Sequence, residues 1–193
     1  MATNFMIERK RLAPNAPGVY EQASWLALMQ HYGLPTRLLD WSASPLVALY
    51  FALAKEHDGD AALWALDAQR LNERMGEGPY LFPMEYDTIK KYLRGAFDIK
   101  EDHRSEKIIV CCGLGTDLRM YVQQSNFTVH DTTHLALNQL PEIQDILWKI
   151  CIPNEAKNEL LTELKLLGFH ESTIFPDMQH IADEQCARFK KQL

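Results

Sequence analysis

Cysteine is scarce in this chain, and its few positions form no recognisable pair. The 193 residues include four cysteines, Cys111, Cys112, Cys151 and Cys186, and no two of them have the C-x-x-C spacing. This arrangement argues against a disulfide framework and against a zinc site built from cysteines. Cys111 and Cys112 end the apolar run IIVCC, where a reduced thiol acts as a small core residue. The sequence therefore predicts reduced thiols and a cytoplasmic protein.

Long apolar runs and several familiar catalytic motifs are also missing. No stretch approaches the length of a membrane span, and the first residues, MATNFMIERKRLAPN, have no apolar signal-peptide core. The chain has no P-loop, no G-x-G-x-x-G motif and no G-x-S-x-G motif. Its formal net charge of −6 gives no indication of nucleic-acid binding. We therefore expect no membrane as partner, and a nucleic-acid partner is not indicated.

The chain does contain a regular alternation of helical and strand-like segments. It is 47% hydrophobic and 24% charged, as globular domains usually are, so we predict one domain over residues 1–193. The clearest strands are residues 107–112, which are β-branched and apolar, and residues 146–152, which a proline closes. The alternation predicts a mixed α/β fold with one small central sheet, which contains at least these two strands and is flanked by helices.

One stretch, QHYGLPTRLLDWSASPLVALYFALA at residues 30–54, places polar and aromatic side chains directly before an apolar run. Ser42 or Ser44 is a helix cap, and a proline follows at the first helical position, so we expect a helix over residues 45–54. Because this helix is apolar all round, we expect it to be buried on most sides. The residues of the stretch predicted to lie in the core are Leu38, Leu39, Leu46 and Phe51.

Three segments resemble the FRG domain family. The longest is QHYGLPTRLLDWSASPLVALYFA, and the others are VQQSNFTVHD at residues 122–131 and LLGFHESTIFPDMQHIA at residues 166–182. The resemblance therefore extends from about Trp25 onward. The family is named for an aromatic-Arg-Gly motif near its N-terminus, whereas this chain has only Arg94-Gly95, which comes too late. We expect the first part of the family pattern to be missing or eroded, which would leave one wall of the site open to a second copy or a partner chain.

The residues of the same stretch predict an anion-binding site. Gly33 and Pro35 predict a tight turn that would bring the flanking polar side chains together. The N-terminus of the following helix suits a phosphate, an arginine adds a bidentate grip, and an aromatic ring stacks on a base or nicotinamide. The predicted site consists of His31 as the catalytic residue and of the ligand-binding residues Tyr32, Arg37, Asp40, Trp41, Ser44, Gln123 and Gln124. His31, Arg37, Asp40 and Gln124 are expected to converge on one concave surface, with the N-terminus of the helix beneath it. No metal is predicted.

A strand, a Ser/Thr-rich turn and an apolar helix in series are similar to the second motif of ADP-ribosyltransferases, which bind NAD there. This fold-level analogy implies a distantly ADP-ribosyltransferase-like fold and NAD as the cofactor. Together with the family resemblance, it implies an enzyme of NAD or nucleotide chemistry in a toxin or phage-defence context. Whether the protein is an enzyme at all is left open.

The alternative is a non-catalytic module that binds a partner or a small ligand. In that interpretation Arg37 and Asp40 form a buried ion pair that locks the turn, and Trp41 is a core residue. The motif would then be a structural lock rather than a site, and the protein would act through a second copy or another chain.

Other candidate groups carry a weaker signal. His130 and His134 have a metal-ligand spacing, but a third ligand is not evident. Cys112 is a poor nucleophile, because apolar surroundings raise the pKa of a thiol. Glu106 and Asp131 are candidates for the carboxylate that a transferase needs, and neither lies in a decisive motif.

Overall fold

The computed structural model describes residues 1–12, 16–55, 57–93, 97, 107–115, 117–130 and 135–190. In chain order its elements are α1 (Ala2–Leu12), α2 (Gln22–His31), β1 (Leu38–Ser42), α3 (Pro45–Leu53), β2 (Ala61–Leu66), α4 (Ala68–Arg74), β3 (Phe82–Pro83), α5 (Asp87–Leu93), β4 (Ile108–Cys112), α6 (Leu118–Val122), β5 (Ser125–His130), β6 (Leu147–Ile152), α7 (Lys157–Leu166), α8 (Glu171–Ile174) and α9 (Met178–Lys190). This is the predicted mixed α/β fold, with small sheets flanked by helices. No helix in the described ranges combines the length and the apolar character needed to cross a membrane.

The chain divides into two compact units. The first unit consists of Met1–Trp41, Leu66–Leu114 and Asn126–Ile146. The second unit consists of Ser42–Ala65, Gly115–Ser125 and Leu147–Leu193. Each unit is therefore built from three separate chain segments. The single domain over residues 1–193 stays a prediction.

The first unit is organised around a four-stranded sheet in the order β1-β5-β4-β3. Strands β4 and β5 are antiparallel, from the pair Ile108 and His130 to the pair Cys112 and Asn126, and the short β3 runs parallel to β4. Helices α4 and α5 pack against β4, and α2 packs against α5. Because β4 is covered in this way, its first four residues are all buried, as its unbroken apolar sequence predicts.

The second unit has a two-stranded sheet, β2 and β6. Helix α3 packs against α7, α6 packs against α8, and α8 packs against α9. Its core combines residues from two distant parts of the chain, positions 47–61 and 152–174. They are Val47, Tyr50, Leu53, Ala61, Ile152, Leu164 and Ile174.

Both strands expected from the sequence are present, as β4 and β6. They nevertheless belong to different sheets, whereas we predicted one sheet containing both. The β-branched and apolar pattern of each segment identifies a strand, but it carries no information about which strand pairs with it.

Helix α3 begins at Pro45 as predicted, and Ser44 is its N-cap. Its burial is less complete than predicted: Val47, Tyr50 and Leu53 form one buried stripe, Leu49 and Ala52 are partly buried, and other positions stay exposed. Among the four residues predicted to lie in the core, only Leu38 is buried; the exposed fractions are 46% for Leu39, 37% for Leu46 and 43% for Phe51. An apolar side chain is buried only where a neighbouring element covers it, and sequence alone does not give that neighbour.

Candidate functional site

The turn between α2 and β1 is held by a chain of polar side chains within the first unit. The Gln30 side chain donates from Nε2 to Asp40 Oδ2 at 2.8 Å, and its Oε1 accepts a hydrogen bond from the Thr36 hydroxyl. The same hydroxyl oxygen accepts the Leu38 N–H at 3.1 Å. Gly33 lies in this turn with a φ of +73°, a conformation that side chains other than glycine rarely adopt. The side-chain amide of Gln30 therefore orients the Asp40 carboxylate.

The alternative interpretation predicted that Arg37 and Asp40 form a buried ion pair. Asp40 is exposed, so the predicted burial of this pair is wrong. A carboxylate in water keeps its hydration and needs no cation to compensate a desolvation cost. Sequence reasoning missed Gln30 as its partner, although the spacing from the end of one helix to the next strand allows the contact.

His31 and Tyr32 end α2 as two neighbouring exposed rings. Their ring centroids are 5.1 Å apart and their planes meet at 68°, an edge-to-face contact. The Phe5 ring from α1 lies 6.2 Å from the Tyr32 ring, which is 60% exposed. Arg37 is half-buried, and its backbone carbonyl accepts the His130 N–H at 2.9 Å. This part of the predicted site presents an aromatic face and an imidazole to solvent.

Trp41 points its indole N–H into a polar chain that the sequence did not reveal. Nε1 donates to Thr128 Oγ1 at 3.1 Å, and the same hydroxyl lies 3.0 Å from His130 Nε2. Thr128 is fully buried. A threonine hydroxyl accepts up to two hydrogen bonds and donates one, so it can receive the Trp41 N–H and donate its own proton to a neutral His130 imidazole. Burial lowers the pKa of His130, in agreement with a neutral ring.

The remaining predicted residues lie in the second unit, at the start of α3. Ser44 Oγ accepts the Val47 N–H at 3.4 Å, and Ser42 Oγ donates to the Gln123 carbonyl at 2.8 Å. The Gln123 side chain donates from Nε2 to the Ile174 carbonyl at 3.0 Å. The Gln124 carbonyl accepts the Ala43 N–H at 3.0 Å, and Gln124 has a φ of +48°. Ser44 and Gln123 therefore hold backbone groups of the fold.

The predicted site residues are divided between the two units. The first unit contains His31, Tyr32, Arg37, Asp40 and Trp41, and the second contains Ser44, Gln123 and Gln124. The structure brings the three second-unit residues to the start of α3. The convergence of His31, Arg37, Asp40 and Gln124 on one surface stays a prediction.

The turn between α2 and β1 and the start of α3 lie in a segment that matches a known protein family. Residues 2–61 match the family model of the FRG domain. Over this segment the chain is similar to the FRG domain. The matched segment extends from α1 to the first residue of β2, so it includes six of the eight predicted site residues, all but Gln123 and Gln124. No curated protein and no solved structure matches the chain.

Outside the FRG match, a second charged group in the first unit escaped sequence reasoning. Glu77 stands between two glycines of positive φ, Gly76 and Gly78, and its side chain is only 11% exposed. It accepts hydrogen bonds from Lys91 Nζ at 2.8 Å and from the Tyr92 hydroxyl. Burial raises the pKa of Glu77, but these hydrogen bonds outweigh burial and lower it overall. The G-E-G sequence was the signal available for this constrained carboxylate.

The cysteines behave as their surroundings predict. Burial raises the pKa of Cys111 to about 12 and also raises that of Cys112. Neither is activated as a thiolate nucleophile, which agrees with the sequence analysis. The other weak candidates, Glu106, Asp131, His134 and Arg94-Gly95, lie outside the described residues.

Proposed function

We propose that the FRG domain binds a nucleotide through the residues at the end of α2 and the start of β1. The observation that carries this proposal is the pair of exposed rings, His31 and Tyr32, in the same unit as the Arg37 cation. An exposed aromatic face stacks on a base, and a guanidinium binds phosphate oxygens in a bidentate manner. The Asp40 carboxylate, directed by Gln30, is a suitable acceptor for ribose hydroxyls.

The enzymatic form of the proposal is ADP-ribosyltransferase-like chemistry on NAD. In this reaction the bond between the nicotinamide nitrogen and ribose breaks, and nicotinamide leaves with the electron pair. An acceptor nucleophile forms the new bond to the ribose carbon and gives its proton to His31, acting as a general base. The support for a cytoplasmic toxin or phage-defence role is the family resemblance together with four cysteines that form no disulfide.

A second candidate function is a non-catalytic interaction module. Leu39, Leu46 and Phe51 of the FRG domain are apolar, yet each is more than a third exposed. Exposed large apolar side chains favour contact with another chain or with a second copy of this one. In this case the protein would act through assembly and would bind no nucleotide.

Calorimetric titration of NAD, ADP-ribose and ATP tests the nucleotide proposal. Wild type should bind at least one of them, and Arg37→Ala should lose about 1.5–3 kcal/mol, since a charge-assisted hydrogen bond is removed. Tyr32→Ala should weaken binding by about 1–3 kcal/mol through lost base stacking. Tyr20→Ala is the matched control, because Tyr20 is a 95% exposed tyrosine of the same unit.

Absence of binding by all three nucleotides would contradict the proposal. If light scattering then shows a dimer that Leu39→Ser or Phe51→Ser dissociates, the interaction module is the better account. If a nucleotide binds but His31→Ala and wild type release nicotinamide from NAD equally, the protein binds nucleotides without the proposed chemistry.

A further inference from the structure

A cavity of about 430 Å³ lies within the second unit, between α3, α7, α8 and α9. Its volume is in the range of small-molecule sites in proteins. The polar side chains in its wall are Tyr50, Lys165, His170, Glu171, Glu184 and Arg188, together with Asp183. None of these residues belongs to the nucleotide site proposed above.

Tyr50 is the buried polar residue of this cavity. It is 6% exposed, and within the described residues nothing accepts a hydrogen bond from its hydroxyl or donates one to it. Burial, and then the negative charges of Glu171 and Glu184, raise the pKa of Tyr50. Tyr50 and both carboxylates line the same cavity. The hydroxyl has no hydrogen-bond partner among the described residues and is not a buried atom, so a ligand in the cavity can bond to it.

Some charged side chains in the cavity wall already have hydrogen-bond or ion-pair partners, and others do not. Glu184 accepts hydrogen bonds from the Ser172 hydroxyl and from Arg188, so both members of that pair are engaged. Glu171 has only a distant contact, 3.9 Å to His180 Nε2. The Lys165 side chain forms no ion pair or hydrogen bond with any described residue. Asp183 accepts only the Gln179 side-chain amide, at 3.0 and 3.1 Å. Among the described residues the cavity therefore offers two carboxylates without a Lys or Arg partner, Glu171 and Asp183, together with the Lys165 ammonium group and the Tyr50 hydroxyl.

We propose that this cavity binds a small zwitterion with an ammonium group and a carboxylate, of amino-acid or dipeptide size. The ligand ammonium group donates to Tyr50 Oη and to the Glu171 carboxylate. The ligand carboxylate pairs with Lys165. Ala54, Leu161 and Ala187 in the wall contact the apolar part of the ligand.

Calorimetric titration of the full chain with single amino acids and one dipeptide tests this assignment. The probes are L-alanine, L-glutamate, L-lysine, L-phenylalanine and glycylglycine. Each probe that binds is compared with its N-acetyl derivative, which lacks the ammonium group, and its methyl ester, which lacks the carboxylate. We expect at least one zwitterion to bind and both of its derivatives to bind at least about tenfold more weakly, since each loses a charged contact.

Two variants address the proposed contacts. Tyr50→Phe removes the hydroxyl alone, and Lys165→Gln removes the cation from an exposed position, so both should fold and both should bind about tenfold more weakly. The matched controls are Tyr121→Phe and Lys149→Gln, which change exposed residues of the same unit outside the cavity and should bind as wild type does. The proposal is overturned if no probe binds, if the derivatives bind as tightly as the zwitterion, or if Tyr50→Phe binds like wild type. These outcomes do not depend on whether the FRG domain binds nucleotides.

Discussion

Thr128 illustrates, at the scale of single residues, how a buried hydroxyl connects two polar side chains. It receives the Trp41 N–H, and it lies within hydrogen-bond distance of His130 Nε2, to which it can donate its own proton. A protonated imidazole would present a second donor to the same oxygen, while burial would oppose the charge. Trp41 is thereby committed to a contact inside the first unit, which leaves Tyr32 as the aromatic side chain available for stacking.

The stability of the protein should depend on pH through His130. Burial lowers the pKa of His130 in the folded state below its ordinary value. As the pH falls from about 8 to about 5, the unfolded chain takes up a proton at this residue before the folded chain does, so stability decreases. Thermal melts should therefore show a smaller acid-induced loss for His130→Gln than for wild type.

His57→Gln is the control for this pH dependence, because it removes an exposed histidine. It should lose stability on acidification as wild type does. An unchanged acid-induced loss in His130→Gln would show that His130 does not contribute to the effect.

At the scale of elements, a side chain of α4 completes one edge of β4. Strand β3 pairs with β4 only at Cys111 and Cys112. One residue earlier, the Val110 N–H donates to Asn72 Oδ1 at 2.8 Å, and the Val110 carbonyl accepts from Asn72 Nδ2 at 2.9 Å. Asn72 is fully buried, and its amide also donates to the Tyr80 carbonyl at 2.7 Å. It takes the place of a strand neighbour for Val110.

Removing this amide should be costly. Asn72→Ala would leave the buried N–H and carbonyl of Val110 without their partner, and each such group costs roughly 1–3 kcal/mol. Denaturant unfolding should therefore show a loss of at least about 2 kcal/mol. Asn138→Ala, an exposed asparagine of the same unit, should change stability by less than about 0.5 kcal/mol. Equal stabilities of the two variants would contradict the role given to Asn72.

At the scale of the whole molecule, the FRG match does not coincide with a folding unit. Residues 2–61 contain α1, α2, β1 and α3. Within the first unit α2 packs against α5 and β1 adjoins β5, and within the second unit α3 packs against α7. Each of those partners lies later in the chain than the matched segment.

A fragment limited to residues 1–61 should therefore not fold. It lacks the strands and helices that cover its apolar residues, so burial cannot offset the conformational entropy of ordering the chain. We expect little amide dispersion in its NMR spectrum and no cooperative thermal transition, with the full chain as the folded reference. A dispersed spectrum for the fragment would show that the match is an independent domain.

Local features of this protein were determined by its sequence alone. Strands β4 and β6, the start of α3 at Pro45 and the Gly33 turn each depend on a few neighbouring residues. The sequence left the cap of α3 open between Ser42 and Ser44. The raised pKa of Cys112 could likewise be predicted, since the apolar run around it is continuous in the chain. Such features depend on side-chain period, backbone freedom and nearby polarity, which can all be read without knowing the fold.

Only the tertiary structure decided which residues distant in the chain contact each other. Trp41 meets Thr128 across 87 positions, and Gln123 reaches the Ile174 carbonyl across 51. Residues far apart in the chain also form the two sheets and cover the buried stripe of α3. The cavity beside Tyr50 likewise depends on α7, α8 and α9, which come much later in the chain. Periodicity states that a side chain is apolar or polar, but long-range packing selects which group lies against it. The fold class was therefore predictable from the sequence, whereas the network around Thr128 and the cavity beside Tyr50 were not.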